Sequence, residues 1–497
     1  MPKRHEWAQR LRPAKPAHRP MPNASAPRFK FIAHALRGDG PFRPVVSDYG
    51  DNNVQLSGLS YLVRYPRESD IKFARRNEIA FYASPLAMAC SRFAGYLSMK
   101  AASRELPNGQ FTRIAEDVDG KGNTVDVFFS QFIVQAKARG SMLLLVDMPA
   151  TMPASQAQQI GQRLLPYWSA IEPESLTEFA IGDDGKFDFV EFAGNFTKAD
   201  GSRVDCTWHF DREKWSAVSK EKVPLAGADH PLGECPVLIF TEGGDFPHFG
   251  PFAAIADLSK RLFNAESELD EILRAQTFSL LTMQVPEDST SEQKLAAAQT
   301  AGQSIGTSNL MVHSGSTPAF IAPPDGPARV YLDRIQKLES KIDEVGLNVA
   351  TVNAQESGIA MQMRFQAING ELSRFALRMQ DLESRAWDMS RRWLGMQQGP
   401  SVQWPRDFNL ADVETELKIL ADMQAAGMPP EVIAEQQRRI VTLQFPAMDE
   451  AARAELLQAI TERTMEPQPS GENVVPLRPD PNAELRAAAV RALSNGA

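Results

Sequence analysis

Residues 358–393 read GIAMQMRFQAINGELSRFALRMQDLESRAWDMSRRW, and their spacing decides the fold. Phe365, Ile368, Leu372, Phe375, Met379, Leu382, Ala386, Met389 and Trp393 step alternately by three and four. That is a heptad seam held for four heptads. A helix of about 38 residues would be about 57 Å long at 1.5 Å per residue, longer than a single compact domain usually contains. Asn369-Gly370 lies inside it and is expected to bend it. Two readings of the seam stay open: a stalk coiled with a second chain, or a helix buried across a large subunit. The bulky aromatic positions and the short repeat favour the second.

Working backward, residues 328–347 make a second periodic helix, with Leu332, Ile335, Leu338, Ile342 and Val345 on one face. A third spans 251–276, marked by Ile255, Leu258, Leu262, Leu269, Ile272 and Leu273. Between them, Leu280 to Val285, Leu310 to Val312 and Ala319 to Ile321 read as short strands around an Ala-rich helix at 291–301. So small a set of strands is marginal alone, and its edges are expected to pair with neighbouring subunits. Residues 203–211 alternate, with Val204, Cys206, Trp208 and Phe210 facing one way and His209 among the polar residues facing the other. Period two over nine residues is a half-buried strand. It belongs to an antiparallel meander with Phe179 to Ile181, Phe187 to Phe192 and Trp215 to Val218, followed by a strand at Val237 to Phe240.

Further upstream, 67–99 reads as two helices broken near Pro85, with Ala80, Ala87, Met88, Phe93 and Leu97 apolar and Arg75, Arg76 and Glu78 polar. A helix over 125–140, with Val127, Phe128, Phe132 and Ile133 apolar, ends at Gly140. Leu143 to Val146 then reads as a fully buried strand ended by Asp147 and Pro149. After Pro400 come three short helices, starting near Asn409, at Pro429-Pro430 and near Asp449. Residues 1–30 carry eight basic side chains and one acidic one and read as a disordered basic arm. Residues 466–497 read as a flexible tail. The fold class expected is α+β, mainly helical.

Composition narrows the function. The chain has 497 residues, with 53 Lys+Arg against 62 Asp+Glu and a net charge of −9. It is long enough to bury a large core. Its acidic balance argues against coating nucleic acid through bulk charge. Three cysteines (Cys90, Cys206 and Cys235) are widely separated, which fits a reducing compartment better than a disulfide framework. No apolar run approaches about 18 residues, so no membrane-spanning helix is expected, nor is a secretory signal visible.

Catalytic constellations are scarce. Gly302-Gln303-Ser304-Ile305-Gly306 matches the G-x-S-x-G nucleophile pattern. That elbow needs a strand before the serine and a helix after it, and here the order is reversed. A serine hydrolase using Ser304 is therefore the weaker alternative. No phosphate-binding loop is present, and no His/Cys set has zinc spacing. The acidic group Glu178, Asp183, Asp184, Asp188 and Glu191 reads as a solvated hairpin, and His209 as a surface histidine. No catalytic residue, cofactor or metal is expected.

The order of elements resembles the portal (head-to-tail connector) proteins of tailed bacteriophages over about residues 65–465. The resemblance rests on Phe73-Ala74-Arg75-Arg76 leading to Tyr82 and on Ala138-Arg139-Gly140 before the strand to Pro149. It continues in Tyr167 to Leu176 (YWSAIEPESL) and in Glu356-Ser357-Gly358-Ile359-Ala360 opening the long helix. It implies a wing at 31–250 and 361–400 and stem helices at 251–276 and 328–347. It also implies a clip at 277–327, a tunnel loop at 348–360 and a helical crown at 401–465. A non-enzymatic ring is implied, usually of twelve subunits, at one capsid vertex of a virion assembled in the host bacterial cytoplasm. Its partners would be terminase, the major capsid protein, a head–tail adaptor and double-stranded DNA passing without sequence specificity, with no membrane partner. The second alternative is another virion structural or scaffolding protein.

A tight basic groove would hold DNA and stall it, because each neutralised phosphate strengthens binding. The 328–347 helix balances Arg329, Arg334, Lys337 and Lys341 against Asp333, Glu339, Asp343 and Glu344, and 251–275 carries three basic residues against five acidic ones. The DNA-channel candidates are Arg334, Lys337 and Lys341 on the second stem-like helix, and the uncharged Asn348, Asn353 and Gln355 in the loop after it.

Overall fold

The computed structural model describes residues 21–48, 54–149, 164–198, 200–277, 280–284, 289–293, 295–296, 310–313, 320–321, 326–346, 358–406, 408, 413–444 and 450–465. The chain is α+β and mainly helical, and it divides into two units, Met1–Asn409 and Leu410–Ala497.

The first unit opens with strand β1 (Met21–Pro22) and helix α1 (Ala26–Arg37). Phe29, Ile32, Ala33 and Leu36 recur at helical spacing on α1, and all four are buried. Pro27 occupies its first turn, where a missing N–H costs nothing. The basic arm therefore does not extend to residue 30: basic composition concealed a local apolar period, and the folded chain has begun by residue 21. A hairpin follows, β2 (Val45–Asp48) and β3 (Val54–Ser57), packed on α2 (Asp70–Ile79). Ser69 caps α2 by accepting from the Lys72 N–H. Next come α3 (Pro85–Leu97), β4 (Ser103–Glu105), α4 (Gly109–Glu116) and α5 (Val125–Arg139). The break at Pro85 and the stop at Gly140 fall where the sequence puts them. Gly140 is left-handed, φ 78°, and a Cβ there would lie 1.9 Å from the Gly250 backbone N. No other residue fits this crossing.

Two sheets face the helices. A three-stranded sheet runs β12 (Val237–Thr241), β5 (Ser141–Asp147), β6 (Tyr167–Ile171), all antiparallel. β5 is central and buried along its whole length, as its unbroken apolar run requires. A six-stranded sheet runs β1, β7 (Leu176–Ile181), β8 (Phe187–Thr197), β9 (Arg203–Asp211), β10 (Lys214–Ser219), β11 (Pro224–Asp229). This is the expected four-stranded meander, with β1 added at one edge and β11, which the sequence reading did not include, at the other.

Helix α6 (Ala253–Thr277) leads to β13 (Leu280–Gln284), β14 (Leu310–His313) and β15 (Phe320–Ile321), in the order β14-β13-β15. β13 and β14 are parallel, which requires a crossover, and the described residues 291–293 and 295–296 between them are helical. These strands find partners within their own chain. Helix α7 (Gly326–Val345) packs on α6, and the long helix α8 (Gly358–Trp393) follows, unbroken through Asn369-Gly370. A short strand β16 (Ser401–Gln403) pairs with β4, so the first unit outlasts Pro400.

The second unit contains α9 (Val413–Ala425), α10 (Pro430–Gln444) and α11 (Glu450–Met465). Glu416 is buried against the Gln436 amide, and Arg439 pairs with it at 3.2 Å. The helix start near Asn409 lies outside the described residues.

The main core gathers around α8. Ile368, Leu372, Phe375, Met379, Leu382, Ala386 and Met389 of its seam are all buried within one cluster with residues from α1, α3, α5, β5, β12 and α6. This covering by its own chain excludes a two-chain coil along that face. The buried face is wider than the seam: Ala376, Glu383, Trp387 and Ser390 are also fully enclosed. Trp168 and Trp387 cross edge to face at 4.9 Å. Each large apolar side chain removed from water contributes about 1.5–3 kcal/mol. Elsewhere the apolar stripes were displaced. Met88, Val127 and Leu273 are exposed, because α3, α5 and α6 turn neighbouring faces inward.

Candidate nucleic-acid interface

Helix α7, which packs on α6, carries the described channel candidates. α6 is pinned to the first unit by polar contacts as well as by Ile255, Leu262, Phe263 and Leu269, all buried. Asn264 Oδ1 accepts from the Val63 N–H at 2.7 Å, and its Nδ2 donates to the Tyr61 carbonyl at 3.0 Å. Asp257 pairs with Arg28 at 2.6 Å and Glu271 with Lys72 at 3.0 Å. On α7, Ala328 and Ile342 are buried, Ile335, Leu338 and Val345 are half-buried, and Val330 and Leu332 are exposed.

Arg334, Lys337 and Lys341 are exposed and share one face of α7 at spacings of three and four. Lys341 pairs with Glu344 at 3.3 Å. Arg334 and Lys337 form no ion pair among the described residues. With Asp333, Gln336, Ser340 and Glu344, the two lysines line a shallow depression of about 340 Å³. On the α6 side, burial together with the nearby Glu339 and Asp270 carboxylates pushes Glu266 up to about 7. The face offers alternating charge with no deep groove. Cations alternating with carboxylates neutralise few phosphates, so such a face is not built to hold a polyanion tightly. Asn348, Asn353 and Gln355 lie outside the described residues, as does Ser304.

The remaining sequence candidates resolve into structural roles. Asp184 and Asp188 both pair with Arg212, at 2.9 and 3.0 Å. His209 is not a surface residue. It is buried, with Nδ1 3.0 Å from Glu191 and Nε2 3.4 Å from Asp211, stacked on Phe189. β9 departs from strict alternation at this end, where His209, Phe210 and Asp211 are all buried. Burial would lower the His209 pKa, but the adjacent Asp211 carboxylate and the hydrogen-bonded Glu191 outweigh it and hold it above the usual value. Cys206 is a small buried hydrophobe as expected, and all three cysteines are free thiols. Among the described residues no group of three or more His, Cys, Asp or Glu could hold a metal, and no helix is long and apolar enough to cross a membrane.

Sequence reasoning missed the buried ion pairs. Arg76, expected on a polar face, is enclosed and pairs with Glu68 at 2.8 Å, its guanidinium over Tyr65. Lys137 is fully buried, 2.6 Å from Glu242 and 2.5 Å from Glu371, with Phe93 and Phe252 against its ammonium. Arg139 is held by Glu174. Glu383, also enclosed, accepts from Arg104 at 2.5 Å, from the Trp404 indole at 2.7 Å and from the Trp387 indole at 3.1 Å. One signal was present: Lys137 lies four residues after Ile133 and three before Gly140, on the buried side of α5. Its carboxylate partners lie too far along the chain to be read locally.

No protein-family model matches this chain, and no curated protein matches it. Among solved structures, it is similar to a chain in the virion of a native gene transfer agent particle, at 11% identity and a TM-score of 0.37, over 86% of this chain and 99% of that one. It is also similar to a chain in the neck of the empty particle computed with C6 symmetry, at 10% identity and a TM-score of 0.40, over 80% and 95%. A third similarity is to a chain in the neck of the native particle computed with C12 symmetry, at 10% identity and a TM-score of 0.37, over 75% and 89%.

Proposed function

We propose that this chain is the subunit of a phage-type portal, a non-enzymatic ring at one capsid vertex through which double-stranded DNA is packaged and ejected. The observation that carries the reading is the sequence of parts around α6 and α7. Two helices pack together, a small α/β insertion joins them, and a 36-residue helix buried in its own subunit follows. In this reading α6 and α7 are the stem and β13–β15 the clip. The expected tunnel loop at 348–360 would end before Gly358, where α8 already begins, and its earlier residues lie outside the described ones; α8 would belong to the wing, and α9–α11 would form the crown. Exposed apolar Leu273, Val330 and Leu332 lie at the ends of α6 and α7 next to the insertion, where neighbouring copies would cover them. Arg334, Lys337 and Lys341 on the balanced face of α7, with Asn348, Asn353 and Gln355, would let DNA slide rather than bind. The clip would receive the terminase motor and later a head–tail adaptor, and the wing the major capsid protein.

The test is assembly, then transport. The purified chain should form rings, and Lys337→Glu/Lys341→Glu should leave the rings intact while changing the amount of DNA packaged. Failure to form any ring overturns the portal reading. Unchanged packaging in the double variant removes these lysines from the channel.

A further inference from the structure

The three-stranded sheet ends at β12. The Val146 N–H donates to the Pro236 carbonyl at 3.0 Å, and the Glu242 N–H to the Gly140 carbonyl at 2.9 Å. Even-numbered residues of β12 therefore turn their N–H and C=O toward β5. Odd-numbered ones turn them outward, because these groups alternate along a strand. At Ile239 and Thr241 the outward groups have no backbone partner among the described residues, and both residues are only half-buried. Backbone groups left bare at an edge are a template for another strand.

That edge lines a cleft of about 490 Å³, whose walls lie on opposite faces of the sheet. Leu238 and Phe240 pack in the cluster that holds Leu382 of α8, with the Phe240 and Phe375 rings 5.2 Å apart. Val237 and Ile239 pack in the cluster that holds Phe179 of β7 and Phe246. One wall is therefore α8, which brings Arg378 and Arg385 to the cleft. The other is the β7–β8 hairpin with the loop after β12, which brings Ile181, Asp183, Asp245 and Phe246. Arg378 is exposed and forms no ion pair among the described residues, and Arg385 stands 3.9 Å from Asp381. A strand added to β12 would send alternate side chains to the two walls. Acidic side chains on the α8 side would meet the arginines in charge-assisted hydrogen bonds. On the other side apolar ones would meet Ile181 and Phe246, and Asp183 and Asp245 would repel acid.

We propose that this cleft receives an extended peptide segment of a partner protein, which adds a fourth strand beyond β12 with acidic side chains toward Arg378 and Arg385 and apolar ones toward Ile181 and Phe246. Main-chain hydrogen bonds supply the attachment and alternate side chains the selection, as in strand addition generally. The site lies wholly in the first unit and does not require the ring. Binding to the purified full-length protein tests it, with a capped, dye-labelled hexapeptide alternating glutamate and valine as the probe. The peptide should bind, and the Ile239 and Thr241 amides, fast to exchange in the free protein, should slow at least tenfold at saturation. Arg378→Glu/Arg385→Glu should weaken binding at least tenfold, leave the urea midpoint unchanged, and favour a peptide in which lysine replaces glutamate. Methylating the backbone nitrogens of the glutamates in one peptide, and of the valines in another, should abolish binding in one and spare the other, since only alternate N–H groups face β12. No binding, or equal effects of the two methylations, overturns strand addition. Slow exchange of Ile239 and Thr241 without peptide would mean that this chain or a neighbouring copy already covers the edge, and would overturn the proposal as well.

Discussion

Helices α7 and α8 carry apolar stripes of the same period, yet their surroundings differ. On α8 the stripe from Ile368 to Met389 is enclosed by its own subunit, and buried charges beside it are paired. On α7 Leu332 is 53% exposed and Ile342 7%. Periodicity alone states that a face wants covering. Only the tertiary structure states whether the same chain does it. α7's half-covered stripe and balanced charges suit contacts supplied by other molecules, while α8 serves the interior.

The largest expected effect falls on the α8 side. Lys137→Met keeps the aliphatic stem but strands Glu242 and Glu371, and should destabilise the subunit by about 3–5 kcal/mol, as removing one partner of a buried pair does. Equilibrium urea unfolding measures it; a loss under about 1 kcal/mol would mean water reaches this network. Next, Met379→Ala should cost about 2–5 kcal/mol. On α7, Leu332→Ser should stay within about 0.5 kcal/mol, with its effect appearing in ring yield instead. Equal destabilisation by the two substitutions would erase the contrast between the helices.

Two smaller effects depend on pH. Glu266, raised from 4.5 to about 7 mainly by burial and then by Glu339 and Asp270, binds its proton more tightly folded than unfolded. Stability is therefore lost as pH rises from 4.5 through about 7. Glu266→Gln should raise the urea midpoint relative to the parent above pH 7 and leave it unchanged below pH 4.5; the reverse ordering would place Glu266 in a favourable pair. His209 also has a raised pKa, from Asp211 and Glu191 acting against burial. Its stabilisation is complete below the ordinary value of about 6.5 and is lost as pH rises through the raised one. In the meander, far in sequence from α7 and α8, His209→Gln should flatten that part of the pH profile. An unchanged profile would show that His209 stays neutral.

Much of this contrast was legible in the sequence. The α8 seam, the alternation of β9, the stop at Gly140 and the short strands between α6 and α7 each carry a local period or a turn residue. What escaped was long-range or obscured by composition. Arg104 and Glu383 meet across 279 residues, and β4 and β16 are three-residue strands that, among the described residues, pair only with each other. Helix α1 lay under a basic, proline-rich average. His209 read as polar and outward because its two carboxylate partners, which make its burial tolerable, cannot be read from period two. Of the channel candidates, the exposure of Arg334, Lys337 and Lys341 follows from the apolar stripe on the opposite side of α7.

Particle mass in solution, with electron micrographs of the same sample, tests the ring most directly. Twelve copies of 54.9 kDa come to about 659 kDa, and the account predicts a ring near that mass with a central bore. A chain that remains at 54.9 kDa, or that forms particles without a bore, would contradict it.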